Sequence, residues 1–329
     1  METGLDVSPT PTYLRAMRHT TPIRGYTLLI LFLTGLGCAS PETSATEPLD
    51  NTQAALDLSF GTDSTLDILT WNIETFPKDE RKSADYVVRV LRALDPDIVA
   101  VQEIWSIAHL EWVAQTLGNY RVISTLESEE SGLAFLLKIG SVEVLTQPQT
   151  ILRASAYDFG YRPPLELTVG VAGMTVRIIN VHFKCCGDDQ IGTAYWDEEL
   201  RRLKATGALK AYLDRLPNGQ GAIVLGDWND SLTDSAESNV FRALLDDTAN
   251  YRFVDIGLAS LIDDAYWSYP SYPSHLDHIL VNAALLPLSE APQASVETIR
   301  IEDALPNGLT EYYRYISDHR PVGLRLESP

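Results

Sequence analysis

A chain of 329 residues with 45% hydrophobic and 21% charged residues has the composition of an ordinary globular protein. Its 25 basic and 45 acidic side chains give a formal charge of −20, which argues against a surface that coats long polyanions by neutralising their phosphates. That balance excludes little about a small enzyme site, where a bound cation sets the local field.

The first segment reads as an address, not as fold. Arg15, Arg18 and Arg24 precede the apolar "YTLLILFLTGL" and then "GCAS". Basic, apolar and small residues in that order form an export signal. The apolar run is too short to span a bilayer, which takes about 20 residues. Cys38 sits in a lipobox-like setting, with Gly35 and Leu36 departing from the usual residues, and Met17 is an alternative start. Residues 1–38 are therefore expected to be a signal peptide ending at a lipid-accepting Cys38. The product would be an exported surface or outer-membrane lipoprotein, or periplasmic or extracellular without the lipid. Its loss removes three basic and two acidic residues and leaves the rest still more acidic. Residues 39–64 are rich in Ser, Thr, Pro, Glu and Asp and read as a disordered tether. Residues 65–329 read as the folded domain.

Short apolar runs then alternate with helical patterns. "LDILTWNI" reads as a strand, Ser83 as the N-cap of "ADYVVRVLRAL", and Asp95-Pro96 as its stop. "DIVAVQEI" is the next strand, followed by a helix over 106–117 that Gly118 ends. "YRVIST", "GLAFLLKI" and "VEVLT" read as strands, and "LELTVGVAGMTVRIINVHF" as a hairpin turning at Ala172-Gly173. A helix over 196–216, the strand "GAIVLGD" and a helix near 239–246 follow. "LDHILVN" and "HRPVGLRL" close the chain as strands. Many strands with mixed connections predict an α/β (α+β) sandwich of mixed sheets. Cys185 and Cys186 are adjacent. A vicinal bridge and two thiols are both open readings, and two thiols alone make a poor metal site.

Polar groups collect where the apolar strands end. These are Asn72 and Glu74, Glu103, Asn180 and His182, Asp227, Asn229 and Asp230, Asp277 and His278, and Asp318 and His319. Taken singly, an Asp or Asn beside a strand is a turn residue. Six such sites together suit one edge of a layered fold. Carboxylate and amide oxygens hold Mg²⁺ or Mn²⁺, and a carboxylate-backed His moves protons near neutral pH. The absence of an HExxH pattern disfavours a zinc hydrolase.

"WNIETF", "VQEI", "NVHFK", "GDWND", "LDHIL" and "SDHRPV", in this order, resemble the endonuclease/exonuclease/phosphatase superfamily, most closely its deoxyribonuclease I-like branch. The resemblance implies a four-layer αββα sandwich with two mixed sheets between helices. It implies Asn72, Glu103 and Asp318 as metal ligands and His182 and His319 as the imidazoles flanking the scissile phosphate. Asp227 and Asn229 would orient water, phosphate or leaving group, and Asp277 would pair with His319. Arg162 and Asn180 would bind phosphate, and Asp230 would be a turn or cap residue. Three departures stand out. Glu74 occupies a position where relatives carry Arg. Ser131, beside Glu130, occupies the place of the carboxylate expected to support His182. His278 replaces an Arg or other residue. The implied function is metal-dependent hydrolysis of a phosphate ester, foremost nucleic acid. The alternatives are a phosphomonoesterase or sphingomyelinase-like diesterase on the same site, and a surface binding protein on an inactive scaffold. No protein partner is expected, membrane contact only through the lipid anchor, and a monomer.

Overall fold

Strand β1 (Thr65–Phe76) is apolar on both faces. Leu66 and Ile68 enter one buried layer, while Leu69, Trp71 and Ile73 enter another. Strand side chains alternate with period two, so such a strand must be covered on both sides. The computed structural model, which describes residues 55–327, provides that cover.

The order continues with α1 (Glu80–Leu94), β2 (Ile98–Ile104), α2 (Ile107–Leu117), β3 (Tyr120–Ile123), α3 (Leu126–Glu130), β4 (Ala134–Lys138), β5 (Val142–Val144) and β6 (Gln149–Thr150). Then come β7 (Leu165–Val171), β8 (Met174–His182), α4 (Glu198–Leu213), β9 (Gly221–Asp227), β10 (Tyr251–Phe253), β11 (Asp277–Asn282), β12 (Ser295–Thr298) and β13 (Val322–Glu327). One sheet runs β12-β13-β1-β2-β4-β3, with β1 and β2 parallel. The other runs β10-β11-β9-β8-β7-β5, with β6 also on β7, and its β8 and β9 are parallel.

The sheets pack face to face through Ile68, Ala100, Phe135, Leu167, Ile178, Ile223 and Ile279. Val87 and Leu91 of α1, Leu110 of α2 and Tyr312 of the helix Gly308–Tyr315 cover the first sheet. Ala205, Leu209 and Leu213 of α4 cover the second. Burying each aliphatic side chain of Val or Leu size contributes about 1.5–3 kcal/mol. The result is the expected four-layer αββα sandwich.

Local boundaries differ from the sequence reading in a few places. Helix α1 starts at Glu80 after Asp79, so Ser83 lies buried inside it, where its Oγ accepts the Asp79 N–H at 2.8 Å. The helices expected over 196–216 and 239–246 are shorter, Glu198–Leu213 and Arg242–Leu245. Helix α3 lies in the acidic "LESEE" and is started by a Thr125–Ser128 capping box. The expected tether is too long at its C-terminal end. Leu56 and Phe60 are buried in the first core layer, and Arg325 Nε donates to Phe60 O at 2.8 Å. Phe60 seats on Gly323 of β13, where a Cβ would lie 2.5 Å from its ring. The signal segment, Cys38 and residues 39–54 lie outside the described residues. Among those described, no helix is long and apolar enough to cross a membrane.

Candidate active site

The site continues the inner faces of the two sheets. On β1 the inward series is Ile68, Thr70, Asn72. On β8 it is Ile178, Asn180, His182; on β9, Ile223, Leu225, Asp227; on β11, read backwards, Val281, Ile279, Asp277. Each series is apolar in the core and turns polar at one edge. Register fixes the neighbours: His182 pairs with Asp227 in the parallel ladder, and Asp227 with Asp277 in the antiparallel one. The ladder is tight here, because a Cβ on Gly226 would meet Val181 O at 1.9 Å. Glu103 leaves the alternation through a left-handed backbone, φ 60°, and Asn229 through φ 55°. Such conformations are uncommon for non-glycine residues and concentrate at functional sites.

These residues line a cleft of about 870 Å³ that includes Glu103, Arg162, His182, Asp227, Asn229, Asp318 and His319. Asn72 Nδ2 donates to Glu103 Oε1 at 3.2 Å and to Asp227 Oδ2 at 3.0 Å. Glu103 Oε2 accepts the Thr75 N–H at 2.9 Å. His319 Nδ1 and Asp277 Oδ2 are 2.7 Å apart. The Nε2 atoms of His182 and His319 lie 3.5 and 3.8 Å from the same Asp227 Oδ2. Asp227 Oδ1 accepts the Asn229 N–H at 3.0 Å.

Burial raises Asp227 to about 6, against the pull of His319. Burial likewise raises Asp318 to about 6, with Glu74 and Glu103 adding to the rise. Burial alone would lower His319, but Asp277 and Asp227 outweigh it and raise the imidazole to about 10. His182 is held well below its ordinary value by burial, then by Arg162 and His319. Glu103 raises both Asp227 and Asp318, so the carboxylates repel across the cleft. A hard divalent cation answers that repulsion. Glu103 and Asp318 carry carboxylate oxygens of the kind such an ion takes, and Asn72 adds an amide oxygen that here accepts the Glu74 N–H at 3.0 Å. Asp227, Asp277 and His319 also come close enough to hold an ion, but the Asp277–His319 hydrogen bond occupies the imidazole Nδ1.

Most of the candidate residues meet here, and Asn180 is a correction. It is fully buried between the sheets. Its Nδ2 donates to Val101 O and Ala134 O, both at 3.0 Å, and its Oδ1 accepts from Gln102 Nε2 at 2.8 Å. No phosphate can reach it. Arg162 reaches the cleft while its Nε and Nη2 hold His182 O and Phe183 O at 3.2 and 2.5 Å. Asp230 sits in a bend, where its Oδ1 accepts the Ser231 N–H at 2.9 Å, and it is also a buried ion-pair partner of Arg202, Oδ2 to Nε 2.6 Å. Glu74 pairs with Lys78. His182 Nδ1 is buried without a hydrogen-bond partner, since the Ser131 hydroxyl turns away to Glu127 O at 2.7 Å.

Other residues escaped the sequence reading. Ser317 Oγ donates to Asn72 O at 2.7 Å and accepts the His319 N–H at 2.9 Å, tying the two ends of the chain's site together. The Tyr269 ring lies 4.7 Å from that of His319. The serine of "SDH" was the available signal; Tyr269 offered none beyond an aromatic-rich stretch. His278 faces away from the cleft, in a second buried cluster with Asp255 and His275.

The model of the endonuclease/exonuclease/phosphatase family matches residues 69–319. The chain belongs to that family. It is accordingly a phosphoric ester hydrolase, and the family chemistry is divalent-metal-dependent hydrolysis of phosphate esters. No curated protein sequence matches it significantly. Solved structures share the fold. D. rerio TDP2, complexed with single-strand DNA product, aligns with TM-score 0.59 and 18% identity over 80% of this chain and 100% of its own. An endonuclease/exonuclease/phosphatase from Bacteroides vulgatus gives 0.52 and 14% over 81% and 100%. The human Nocturnin catalytic domain with bound sulfate gives 0.52 and 14% over 80% and 95%.

Proposed function

We propose that this enzyme is a Mg²⁺- or Mn²⁺-dependent phosphodiesterase that cleaves nucleic acid outside the cytoplasm. The observation that carries the chemistry is the convergence of His182 Nε2 and His319 Nε2 on one Asp227 oxygen beside the Asn72–Glu103–Asp318 donor set. Held by Asn72, Glu103 and Asp318, the ion would neutralise phosphate charge and polarise the P–O bond. His182 and His319 flank the scissile phosphate, and Asp227 and Asn229 orient the attacking water. Asp277 holds the His319 Nδ1 proton and so turns Nε2 to the cleft. One imidazole takes the proton of water and the other gives one to the leaving oxygen. Arg162 offers positive charge to the phosphate from the cleft wall.

The single-strand DNA in the TDP2 structure supports nucleic acid as substrate, as does the tyrosine wall, with Tyr269 beside His319 and Tyr272 69% exposed. Aromatic faces stack on bases of any sequence. The export-type N-terminus with Cys38 supports a membrane-tethered lipoprotein working beyond the cytoplasm. Leu261 and Ile262, exposed on the same cleft, favour a phospholipid diester as the second reading.

The test is hydrolysis of plasmid DNA, single-stranded DNA, RNA, bis-p-nitrophenyl phosphate, p-nitrophenyl phosphate and sphingomyelin, with Mg²⁺, Mn²⁺ or EDTA. Metal-dependent cutting of nucleic acid is expected, with Asp277→Asn slower by roughly 10²–10⁴-fold at unchanged fold. Turnover of sphingomyelin alone would move the substrate to lipid. Undiminished activity in Asp277→Asn would remove the proposed role of the pair.

A further inference from the structure

The cleft carries two adjacent thiols that hydrolysis does not use. Cys185 is half-buried, Cys186 is exposed, and both line the cleft. Their Sγ atoms lie 2.9 Å apart. A disulfide bond measures about 2.03–2.05 Å, so the sulfurs are already near bonding distance, although between adjacent residues the bridge closes a strained small ring. Cys186 already holds a left-handed φ of 71°, a conformation rare outside glycine and kept only where the surroundings impose it. Arg202 imposes it. Its buried guanidinium donates from Nη1 to Lys184 O at 2.7 Å and Cys186 O at 2.6 Å, the carbonyls on either side of Cys185. Asp230 and Glu199 fix Arg202 in turn, at 2.6 and 3.2 Å. One residue upstream, Phe183 O accepts from Arg162 Nη2 at 2.5 Å and from Asn229 Nδ2 at 3.2 Å. Segment 183–187 is thus the wall on which Arg162 and Asn229 are hung.

We propose that Cys185 and Cys186 form a redox-active pair that closes to a vicinal disulfide, and that closure fixes the cleft wall carrying Arg162 and Asn229. The oxidant is a low-molecular-weight disulfide. The Cys185 thiolate attacks it, forming a mixed disulfide and releasing one thiol. The Cys186 thiolate then attacks Cys185 Sγ and releases the second. Two cysteine protons are lost, two electrons pass to the oxidant, and one disulfide is exchanged for another. A bridge removes conformations from the open loop. It persists in an oxidising compartment. The effect on turnover rests on the hydrolase reading; the bridge itself does not.

The test equilibrates the purified protein with glutathione disulfide or reduced glutathione, traps thiols with iodoacetamide, and reads mass and amide hydrogen exchange. With glutathione disulfide, the peptide holding both cysteines is expected to lose the mass of two hydrogens and take no alkyl group. Amides in segment 183–187 should exchange at least about threefold more slowly than in the reduced protein. Turnover of bis-p-nitrophenyl phosphate should fall at least about threefold on reduction. Cys185→Ser/Cys186→Ser should respond to neither poise. Thiols that stay alkylatable, stable glutathione adducts, or a bridge that leaves exchange unchanged would overturn the proposal. An active enzyme whose rate ignores the bridge would overturn its link to catalysis. A protein that bridges and slows exchange but hydrolyses no ester in either state would uphold the bridge and overturn the hydrolase reading.

Discussion

Asn180 and His182 stand two residues apart on one face of β8, and that step separates support from chemistry. Asn180 turns both its N–H donors and its carbonyl oxygen toward the other sheet, on Val101 O, Ala134 O and Gln102 Nε2. Asn180→Leu would take a buried donor from Val101 O and from Ala134 O, while Gln102 Nε2 would keep Thr70 Oγ1 and Ala100 O at 3.2 and 3.3 Å. Each such loss costs about 1–3 kcal/mol. The expected outcome is a loss of roughly 2–5 kcal/mol in urea denaturation, with turnover per folded molecule within a few-fold of wild type. A large fall in turnover at unchanged stability would return Asn180 to the phosphate. The sequence made this residue hard to place. Period two puts Asn180 and His182 on the same face, and only depth between the sheets tells them apart. His182, Asp227, Asp277 and His319 were legible because their neighbours form strand-end motifs. Asp230 and His278 sit in the same motifs but are engaged in ion pairs whose partners, Arg202 and Asp255, lie far off in sequence.

At the scale of elements, the strands were legible because both faces are apolar, and the turn at Ala172-Gly173 because Gly173 accepts the positive φ it needs, 76°. Segment 55–64 was not legible. Leu56, Leu58 and Phe60 alternate with Asp57 and Ser59, a period-two pattern too short to stand out from the polar stretch around it, and the partners of Phe60 are Gly323 and Arg325 at the other end of the chain. No local pattern reports such a contact. Phe60 is 2% exposed, so Phe60→Ala should cost about 3–5 kcal/mol. The measurement is the guanidinium midpoint at constant slope. Wild-type stability in this variant would show that the segment is a tether after all, held only loosely against β13.

At the scale of the whole molecule, a second buried charge cluster stands apart from the catalytic one. His278 donates from Nδ1 to Asp255 Oδ2 at 2.6 Å and from Nε2 to Asp230 O at 2.9 Å. Two donated protons make it an imidazolium. His275 Nε2 stands 3.2 Å from the same Asp255 oxygen, and the rings of Phe241 and Phe253 close the remaining sides. Burial alone would lower His278, but Asp255 outweighs it and raises the imidazole above 6.5. Burial would raise Asp255, yet His278 and His275 hold it far below the carboxylate range. A raised His contributes stability that is full below its unfolded value, about 6.5, and is lost as pH climbs through the folded value. A depressed Asp contributes stability that is full above about 3.9 and is lost as pH falls through the folded value. The cluster therefore stabilises most between those limits and weakens toward alkaline pH. His319, raised to about 10 by Asp277 and Asp227 against its burial, adds a slope of the same sign. That slope is common to wild type and to His278→Gln, so their difference isolates the cluster. The variant should lose about 3–5 kcal/mol at pH 6, because Asp255 stays buried without its main partner. The deficit should shrink as the pH is raised from 6 to 9, as wild type loses the His278 proton. A deficit that stays constant over that range would mean that His278 is neutral in the folded protein and that packing, not charge, is what it supplies.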